Sequence, residues 1–464
     1  MKYSLSSVAA RITRLAGIDT YDEADTRLSR LLIKGSAGTF ALKVISTGFA
    51  FVISLLLARL LGAKGYGIYA YVMVWVNLLA VPSALGLDRL LVREVAVCQT
   101  QSAWGLMKGL LRRANQTVLV VSLGLALLAA LIAWNLVGSS NSQMLFSFWT
   151  ALIMLPLVSL SSVRQAALRG LNRVVIGQLP EMFLQPMVFI SLIIASYFVF
   201  GKFIEKSLTA PWAVGMNVLA TGVALIIGTI LLHRNLPQTV KETSPVYKSS
   251  IWARSALHMI LIACLQVINA RADIAILGAM KKAEVVGIYA VAAKGAELIT
   301  FILFAINIVI APTIASLYAA GDMKKLQRVI TQSARIILLF SLPIGIGLII
   351  FSHWFLLLFG KDFIQGETAL IILSIAQLFS ASMGSVGLPL VMTGYEYITV
   401  MIAGSGAVLN IFLNIILIPE WGAEGAAIAT SSSIIIRNIL SAIWVYKRLG
   451  IHSTALGRIS LRRN

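Results

Sequence analysis

Charge is what this sequence has least of. Only 12% of its 464 residues are charged, about half the share of an ordinary soluble domain. With 59% hydrophobic residues, a water-soluble globule is excluded, because burying that much apolar surface requires lipid. Acids are scarcer than bases, with 18 Asp and Glu against 38 Lys and Arg. The four histidines, His233, His258, His353 and His452, are scattered and form no His-Glu-x-x-His pattern, so no metal site is expected. Two cysteines, Cys98 in a polar loop and Cys264 inside an apolar run, exclude a disulfide framework. The chain has no Gly-x-x-x-x-Gly-Lys-Ser/Thr phosphate loop and no Gly-x-Ser-x-Gly nucleophile elbow. Nothing points to covalent catalysis, and no cofactor is expected. No apolar run closely follows the first charges, so the N-terminus does not read as a signal peptide.

What is present is a series of apolar runs. Twelve stretches meet the length of roughly 20 residues that a membrane-crossing helix needs. They lie near 36–61, 67–88, 115–136, 144–163, 177–200, 211–232, 255–279, 287–316, 334–354, 368–392, 399–418 and 425–446. The eighth is long enough to tilt or to run past the bilayer. An all-α integral membrane protein with twelve transmembrane helices is expected. Of the 38 Lys and Arg, 27 fall on one side of these spans if the N-terminus is cytoplasmic, six fall on the other, and five lie within spans or at their ends. Positive charge stays inside, so both termini are expected in the cytoplasm. The net charge of +20 is spread over these flanking loops, which fits anionic membrane lipids as partners and not nucleic acid.

The organisation reads as a doubled one. Gly67-Ile68-Tyr69-Ala70 recurs unchanged as Gly287-Ile288-Tyr289-Ala290, and Leu61-Gly62-Ala63 precedes the first copy as Leu277-Gly278-Ala279 precedes the second. An ordered pair of repeats at the same place in each half implies one architecture used twice. Leu5, Val8, Ile12 and Leu15 recur at helical spacing beside Arg11 and Arg14, which suits a short helix on the inner leaflet within residues 1–34. One unit then spans 35–235, a polar linker 236–254, a second unit 255–447, and a basic tail 448–464. Segments on the outer face are short, the longest running roughly from His353 to Glu367, which leaves little room for an external enzyme domain. Pro82, Pro156, Pro186, Pro312, Pro343 and Pro389 lie within or near span ends, as packing kinks or as hinges.

The informative side chains are charges inside spans, each costing about 2.5–3.5 kcal/mol at a helix centre. Such groups face a wet cavity, find a partner, or snorkel to an interface. Arg271 and Asp273 fall in span seven, Lys294 and Glu297 in span eight, at similar depth across one hairpin. Lys294 and Glu297, three apart, share a helix face; Arg271 and Asp273, two apart, diverge. Pairing Asp273 with Lys294 would leave Arg271 aimed at a cavity, as part of a cationic patch for phosphate. The bland alternative is a set of neutralised ion pairs. Lys43 sits two turns into span one, a further cavity candidate, while snorkelling accounts for Arg59 equally well. Mid-span Arg437 is sheltered among Ser431, Ser432 and Ser433. Glu181 and Gln185 line a path or hydrogen-bond between helices. Where the second repeat leads to Lys294, the first leads to Val74 and Asn77.

Several strings resemble the Wzx-type polysaccharide flippases of the multidrug/oligosaccharidyl-lipid/polysaccharide (MOP) exporter superfamily. They are Leu61-Gly62-Ala63-Lys64-Gly65-Tyr66-Gly67-Ile68-Tyr69-Ala70; Arg169-Gly170-Leu171-Asn172-Arg173 with Gln185-Pro186; and Arg271-Ala272-Asp273 with Gly287-Ile288-Tyr289 and Lys294. Asn410 and Asn414 leading to Leu417-Ile418-Pro419, Gly422 and Gly425-Ala426-Ala427-Ile428-Ala429-Thr430 complete the set. The resemblance runs from about residue 34 to 447. It implies two pseudosymmetric six-helix bundles of MATE-like form around a cavity lined by spans one, two, seven and eight. On this sequence those spans carry Lys43, Arg59, Arg271, Asp273, Lys294 and Glu297. The implied substrate is a polyprenyl-diphosphate-linked oligosaccharide, a repeat unit of O-antigen, capsule or exopolysaccharide, moved across a bacterial inner membrane. Lys43, Arg59, Arg271 and Lys294 would hold phosphate, while Asp273 and Glu297 would couple to protons or ions or form silent ion pairs. Asn77, Glu181 and Gln185 are further cavity candidates. A polysaccharide polymerase and a chain-length regulator are the implied protein partners. The rivals are a cation-coupled multidrug antiporter of the same superfamily, a membrane glycosyltransferase, polymerase or ligase, and a scaffold of a saccharide-assembly complex.

Overall fold

The computed structural model describes residues 23–137, 142–203, 208–247, 249–455 and 457. The expected interfacial residues Leu5, Val8, Ile12 and Leu15, and Arg458, Arg462 and Arg463 of the tail, lie outside them. Among the described residues the secondary structure is helical and contains no strand. That is what lipid demands, since each helix satisfies its own backbone groups where no water can.

In chain order the helices are α1 (Glu23–Ala84), α2 (Leu87–Thr100), α3 (Trp104–Val137), α4 (Ser142–Gly170) and α5 (Val174–Leu179). A π-helical turn, Pro180–Leu184, leads into α6 (Gln185–Phe203), followed by α7 (Ala210–Asn235) and the short α8 (Gln238–Glu242). Then come α9 (Ser249–Met280), α10 (Ala283–Ala319), α11 (Met323–Ile350) and α12 (Ser352–Leu357). A 3₁₀ turn, Lys361–Gly366, precedes α13 (Glu367–Met383), α14 (Gly387–Met392) and α15 (Glu396–Leu449). Among the described residues, ten helices are long and apolar enough to cross a membrane. Twelve spans are expected from sequence; the difference lies in α1 and α15, which run for 62 and 54 residues. Each is broken once, at Gly62 (φ 66°, ψ 178°) and at Gly422 (φ 51°, ψ −121°). Both glycines take a positive φ that a Cβ would oppose. The 37 residues of α10 reach about 55 Å, well beyond a hydrocarbon core of about 30 Å.

The buried apolar residues form several clusters. The largest joins the two repeats, with Leu57, Ala58, Ala63 and Tyr66 from α1 packed among Val286, Ile288, Tyr289 and Ala292 from α10. A second gathers around Leu90, Leu91, Met107, Leu110 and Ala167 in the first half of the chain, and a third around Ile314, Leu326, Ile330, Ile402 and Val445 in the second. The halves therefore share a core beside the Gly62 break and keep separate cores at the basic end.

The repeated glycines are where the halves meet. A Cβ on Gly67 would stand 1.6 Å from the carbonyl oxygen of Ala283, and one on Gly287 would stand 2.2 Å from that of Ala63. The Gly-Ile-Tyr-Ala repeats thus cross backbone to backbone, and glycine is the residue that permits it. The stretch from His353 to Glu367, expected as a loop, is instead folded over this crossing. Phe355 and Phe359 pack on Phe51, and Phe363 packs edge-on against Tyr66, 6.1 Å between centroids.

The polar linker is also docked. Val246 N–H donates to the Gly105 carbonyl at 2.9 Å, and Lys108 Nζ donates to the carbonyls of Lys241 and Thr243 at 2.6 and 2.9 Å. A Cβ on Gly109 would meet the Val246 oxygen at 1.9 Å. The segment after α15 is held on α11 in the same manner. Gln327 donates to the His452 carbonyl and accepts from its N–H, at 2.7 and 2.8 Å, and Arg335 Nε donates to the Ala455 carbonyl at 3.1 Å.

Candidate functional site

A cavity of about 270 Å³ lies between the halves, beside the glycine crossing. From α1 it takes Ser54 and Leu57 before the break and Tyr66, Tyr69, Met73 and Asn77 after it; α6 adds Gln185 and Phe189, and α7 adds Asn217. Facing them stand Arg271 and Ile274 of α9 and Lys294 and Glu297 of α10. The three charged residues in this lining all belong to the second half. Their geometry follows from helix spacing: three residues apart, Lys294 and Glu297 share a face, and Lys294 Nζ donates to Glu297 Oε2 at 2.6 Å. The other carboxylate oxygen stands 3.8 Å from Arg271 Nη1. Glu297 therefore bridges two cations on two helices.

This differs from the Asp273–Lys294 pairing expected from sequence. Two residues past Arg271, Asp273 is turned by about 200° around the helix and faces the interior of the second half. There its Oδ2 accepts from Tyr289 Oη at 2.6 Å and its Oδ1 from the Ile274 N–H at 2.8 Å. Thr430 Oγ1 lies 3.4 Å from the same Oδ2, Asn410 Nδ2 donates to Thr430 at 3.3 Å, and Asn414 donates to Asn410 at 3.0 Å. Tyr289 and Asn414 have no exposed surface.

The first half carries the uncharged counterpart of this cluster. Tyr69, the tyrosine of the other repeat, accepts from Asn217 Nδ2 at 3.0 Å, and Gln185 Nε2 donates to Asn217 and Thr221 at 3.2 and 2.9 Å. In each half the repeat tyrosine reaches a polar residue near the end of the half, Asn217 on α7 or Thr430 on α15. Four residues before Leu277 stands Asp273; four before Leu61 stands Leu57, buried. The frames correspond and the charge does not.

The remaining sequence candidates divide. Asn77 and Gln185 line the cavity, the former with Nδ2 donating to the Met73 carbonyl at 2.7 Å. Lys43, Arg59 and Glu181 are not among the lining residues. Lys43 Nζ sits over the Phe304 ring, 5.3 Å from its centroid, where α1 runs beside α10. Arg59 is exposed, and its Nε donates to the Leu358 carbonyl at 2.6 Å, fastening α1 to the aromatic cover. Glu181 occupies the π-helical turn, and its Oε2 is buried without a hydrogen-bond partner; Arg164 and Arg169 are its charged neighbours. Arg164 is a buried residue of α4 that donates to the Leu225 carbonyl. Arg437 donates to Asn269 at 3.3 Å. Tyr69 and Asn217, which line the cavity, and Tyr289, which bonds Asp273 behind its wall, are polar groups that charge and depth in the sequence do not single out. The only available signal was the tyrosine of each repeat, which the repeat itself disguised as framework.

Comparison with known proteins agrees with this architecture. The family model described as "Polysaccharide biosynthesis protein" matches residues 32–318, more than half of the chain, and the MatE model matches residues 258–416. The "Probable low-salt glycan biosynthesis flippase Agl15" of Haloferax volcanii is 26% identical over 171 residues, 37% of this chain and 36% of that protein. The match thus spans little more than a third of the relative's length. Among solved structures, an inward-facing multidrug resistance MATE family transporter of the MOP superfamily aligns with a TM-score of 0.69 at 14% identity, covering 87% of this chain and 94% of the other. The lipid II flippase MurJ in an inward closed conformation aligns at 0.64 with 15% identity, covering 89% and 87%. These likenesses establish the fold. This multi-pass membrane chain, built on the fold of the MOP superfamily, belongs to the polysaccharide biosynthesis protein family.

Proposed function

We propose that the protein is a flippase that carries a polyprenyl-diphosphate-linked oligosaccharide from the cytoplasmic to the outer leaflet of the cytoplasmic membrane. The observation that carries this reading is the cavity between the halves, whose charged lining is two cations bridged by one carboxylate. Arg and Lys replace the hydration of a diphosphate, and a guanidinium does so with paired donors. The lipid tail has no need of the cavity and stays in the bilayer. Counting each of α1 and α15 as two spans at its glycine break turns ten membrane-crossing helices into twelve. These group into two six-helix units, residues 35–235 and 255–447. The distribution of Lys and Arg supports cytoplasmic termini, which makes the glycine crossing and its aromatic cover the outer seal. Alternating access would then rock the units about the cavity, opening that seal as the basic end closes. Arg271 and Lys294 hold the phosphates, and Asn77, Gln185 and Asn217 offer hydrogen bonds to sugar hydroxyls. Asp273, set in a polar cluster behind the cavity wall, is the candidate for coupling to a proton or cation. Lys43 serves as a flanking charge along the path, while Arg59 fastens the aromatic cover through the Leu358 carbonyl. A polysaccharide polymerase would use the product.

Transport of a fluorescent lipid-linked oligosaccharide in proteoliposomes tests this reading. Arg271→Ala should reconstitute as folded protein and lose transport; full transport by that variant would sink the phosphate-binding role. A multidrug antiporter on the same fold would instead move cationic dyes in the same vesicles, which the basic cavity disfavours.

A further inference from the structure

We infer that the end of α15 holds a binding site for the phosphate of an anionic phospholipid, with Arg448 as its anchor and Lys447 beside it. Arg448 Cζ lies over two rings, 5.7 Å from the centroid of Tyr395 and 5.5 Å from that of Trp444. Lys447 Nζ lies over the same indole at 6.0 Å. Three of the four cation–π contacts among the described residues therefore meet at one place. Tyr395 and Trp444 pack against the third core cluster, so the rings are fixed whether or not anything is bound. The rings hold the cations without neutralising them or accepting from their in-plane donors. Among the described residues, a guanidinium with five N–H groups has one protein acceptor here, Tyr397 Oη, at 3.5 Å from Nη2. Neither cation has a carboxylate within 4 Å, and Glu396, between the two tyrosines in sequence, pairs with neither. Two like charges gathered about one indole repel each other. An oxyanion relieves that repulsion and accepts from the unused N–H groups. Arg234 ends α7 in the first half as Arg448 ends α15, but one turn before it stands Ile230 in place of Trp444.

The kind of anion follows from what leads to the site. Ile436, Ile439 and Ile443 are exposed, three or four residues apart, and share a face that ends at the exposed Tyr446, next to Lys447. On the other leg of α15, before the Gly422 break, the exposed Met401, Val408 and Phe412 share a face that ends at Tyr397. In a membrane such faces are covered by acyl chains, and Trp and Tyr at their ends mark the depth of the headgroups. A phospholipid lying on either face brings its phosphate to the level of Arg448. A free phosphate ion meets the same charges but makes no use of the apolar faces. A zwitterionic headgroup adds an ammonium to two cations already unpaired, so a headgroup of net negative charge is preferred. The inference stands on these contacts alone, whatever the substrate and direction of transport.

The test is native mass spectrometry of the purified full-length protein in detergent, titrated with phosphatidylglycerol or phosphatidylcholine, with inorganic phosphate as competitor. Wild-type protein should bind its first phosphatidylglycerol about fivefold or more tightly than phosphatidylcholine. Arg448→Gln should weaken that step by about fivefold. Arg448→Lys, which keeps the charge and loses the planar fork, should weaken it by a smaller factor. The control is Arg112→Gln, which removes an exposed cation of α3 and should leave the step within about twofold of wild type. Equal losses in Arg448→Gln and Arg112→Gln would reduce the effect to the general attraction of a basic surface and overturn the site. Displacement of phosphatidylglycerol by millimolar inorganic phosphate would overturn the lipid as its ligand. Equal binding of the two lipids by wild-type protein would overturn the preference for an anionic headgroup.

Discussion

A methyl group at Gly67 asks the two halves to part. The added carbon would sit 1.6 Å from the Ala283 carbonyl oxygen, and the nearest approach a Cβ tolerates is about 3.0 Å, so the backbones must separate by at least 1.4 Å. Both partners are main chain and no rotamer can absorb the overlap. The cost of overpacking of this kind is about 1–3 kcal/mol. Since the strain exists only where the repeats touch, it falls on the sealed arrangement and shifts the population toward an opened one by about five- to 150-fold. Gly287→Ala needs a smaller displacement, from 2.2 to 3.0 Å, and should act in the same direction more weakly. Gly48→Ala meets nothing within 4 Å and is the control. The assay places a cysteine at Ser54 in the cavity lining, replaces Cys98 and Cys264, and measures labelling by a membrane-impermeant maleimide from the sealed side. Labelling should rise in the order Gly48→Ala, Gly287→Ala, Gly67→Ala, with melting temperature falling in the same order. Equal labelling and equal melting in all three would refute the backbone crossing as the seal.

The cover over that crossing is tested by Phe359→Ala. The side chain is fully buried among Phe51, Phe355 and Phe363, so its loss should cost about 3–5 kcal/mol, visible as a large drop in melting temperature. Arg59→Leu removes one hydrogen bond to the Leu358 carbonyl outside the cavity; transport should persist, with a stability loss of about 1 kcal/mol or less. Asp273→Asn keeps the shape of the Tyr289–Thr430 cluster and removes its charge. Transport in proteoliposomes should lose its dependence on an imposed ion or proton gradient while prenyl diphosphate binding persists; retained dependence would reassign coupling elsewhere. Gly109→Leu should release the linker from α3, seen as faster proteolysis between Thr243 and Tyr247, because the Val246 oxygen occupies the space of the new side chain.

Much of the fold is legible in residue order because lipid imposes a simple rule. Long apolar runs form helices, and bases collect on one side. Twelve apolar spans correspond to ten long helices among the described residues because α1 and α15 each take up two of the spans. The chain continues helically through the polar turn Lys64-Gly65-Tyr66 and breaks at the single residue Gly62. The segment His353–Glu367 looked like a loop for a related reason. Its charges, Lys361, Asp362 and Glu367, flank the buried Phe359 and Phe363, whose burial depends on α1 at a distance of some 300 residues.

The sequence by itself determined that the chain lives in a membrane, that its halves repeat, and that a few charges sit where solvation is costly. These are properties of composition and spacing, and each is counted along one dimension. Only the tertiary structure decided which charges meet. Arg271 and Asp273 stand two residues apart, yet helix rotation sends one to the cavity and the other to Tyr289, and Glu297 pairs with both cations because α9 and α10 bring them to one level. The structure also decided what the repeat is for. Two identical tetrapeptides signify a doubled fold in sequence, but only their crossing shows that each glycine is there to let the other half's backbone in.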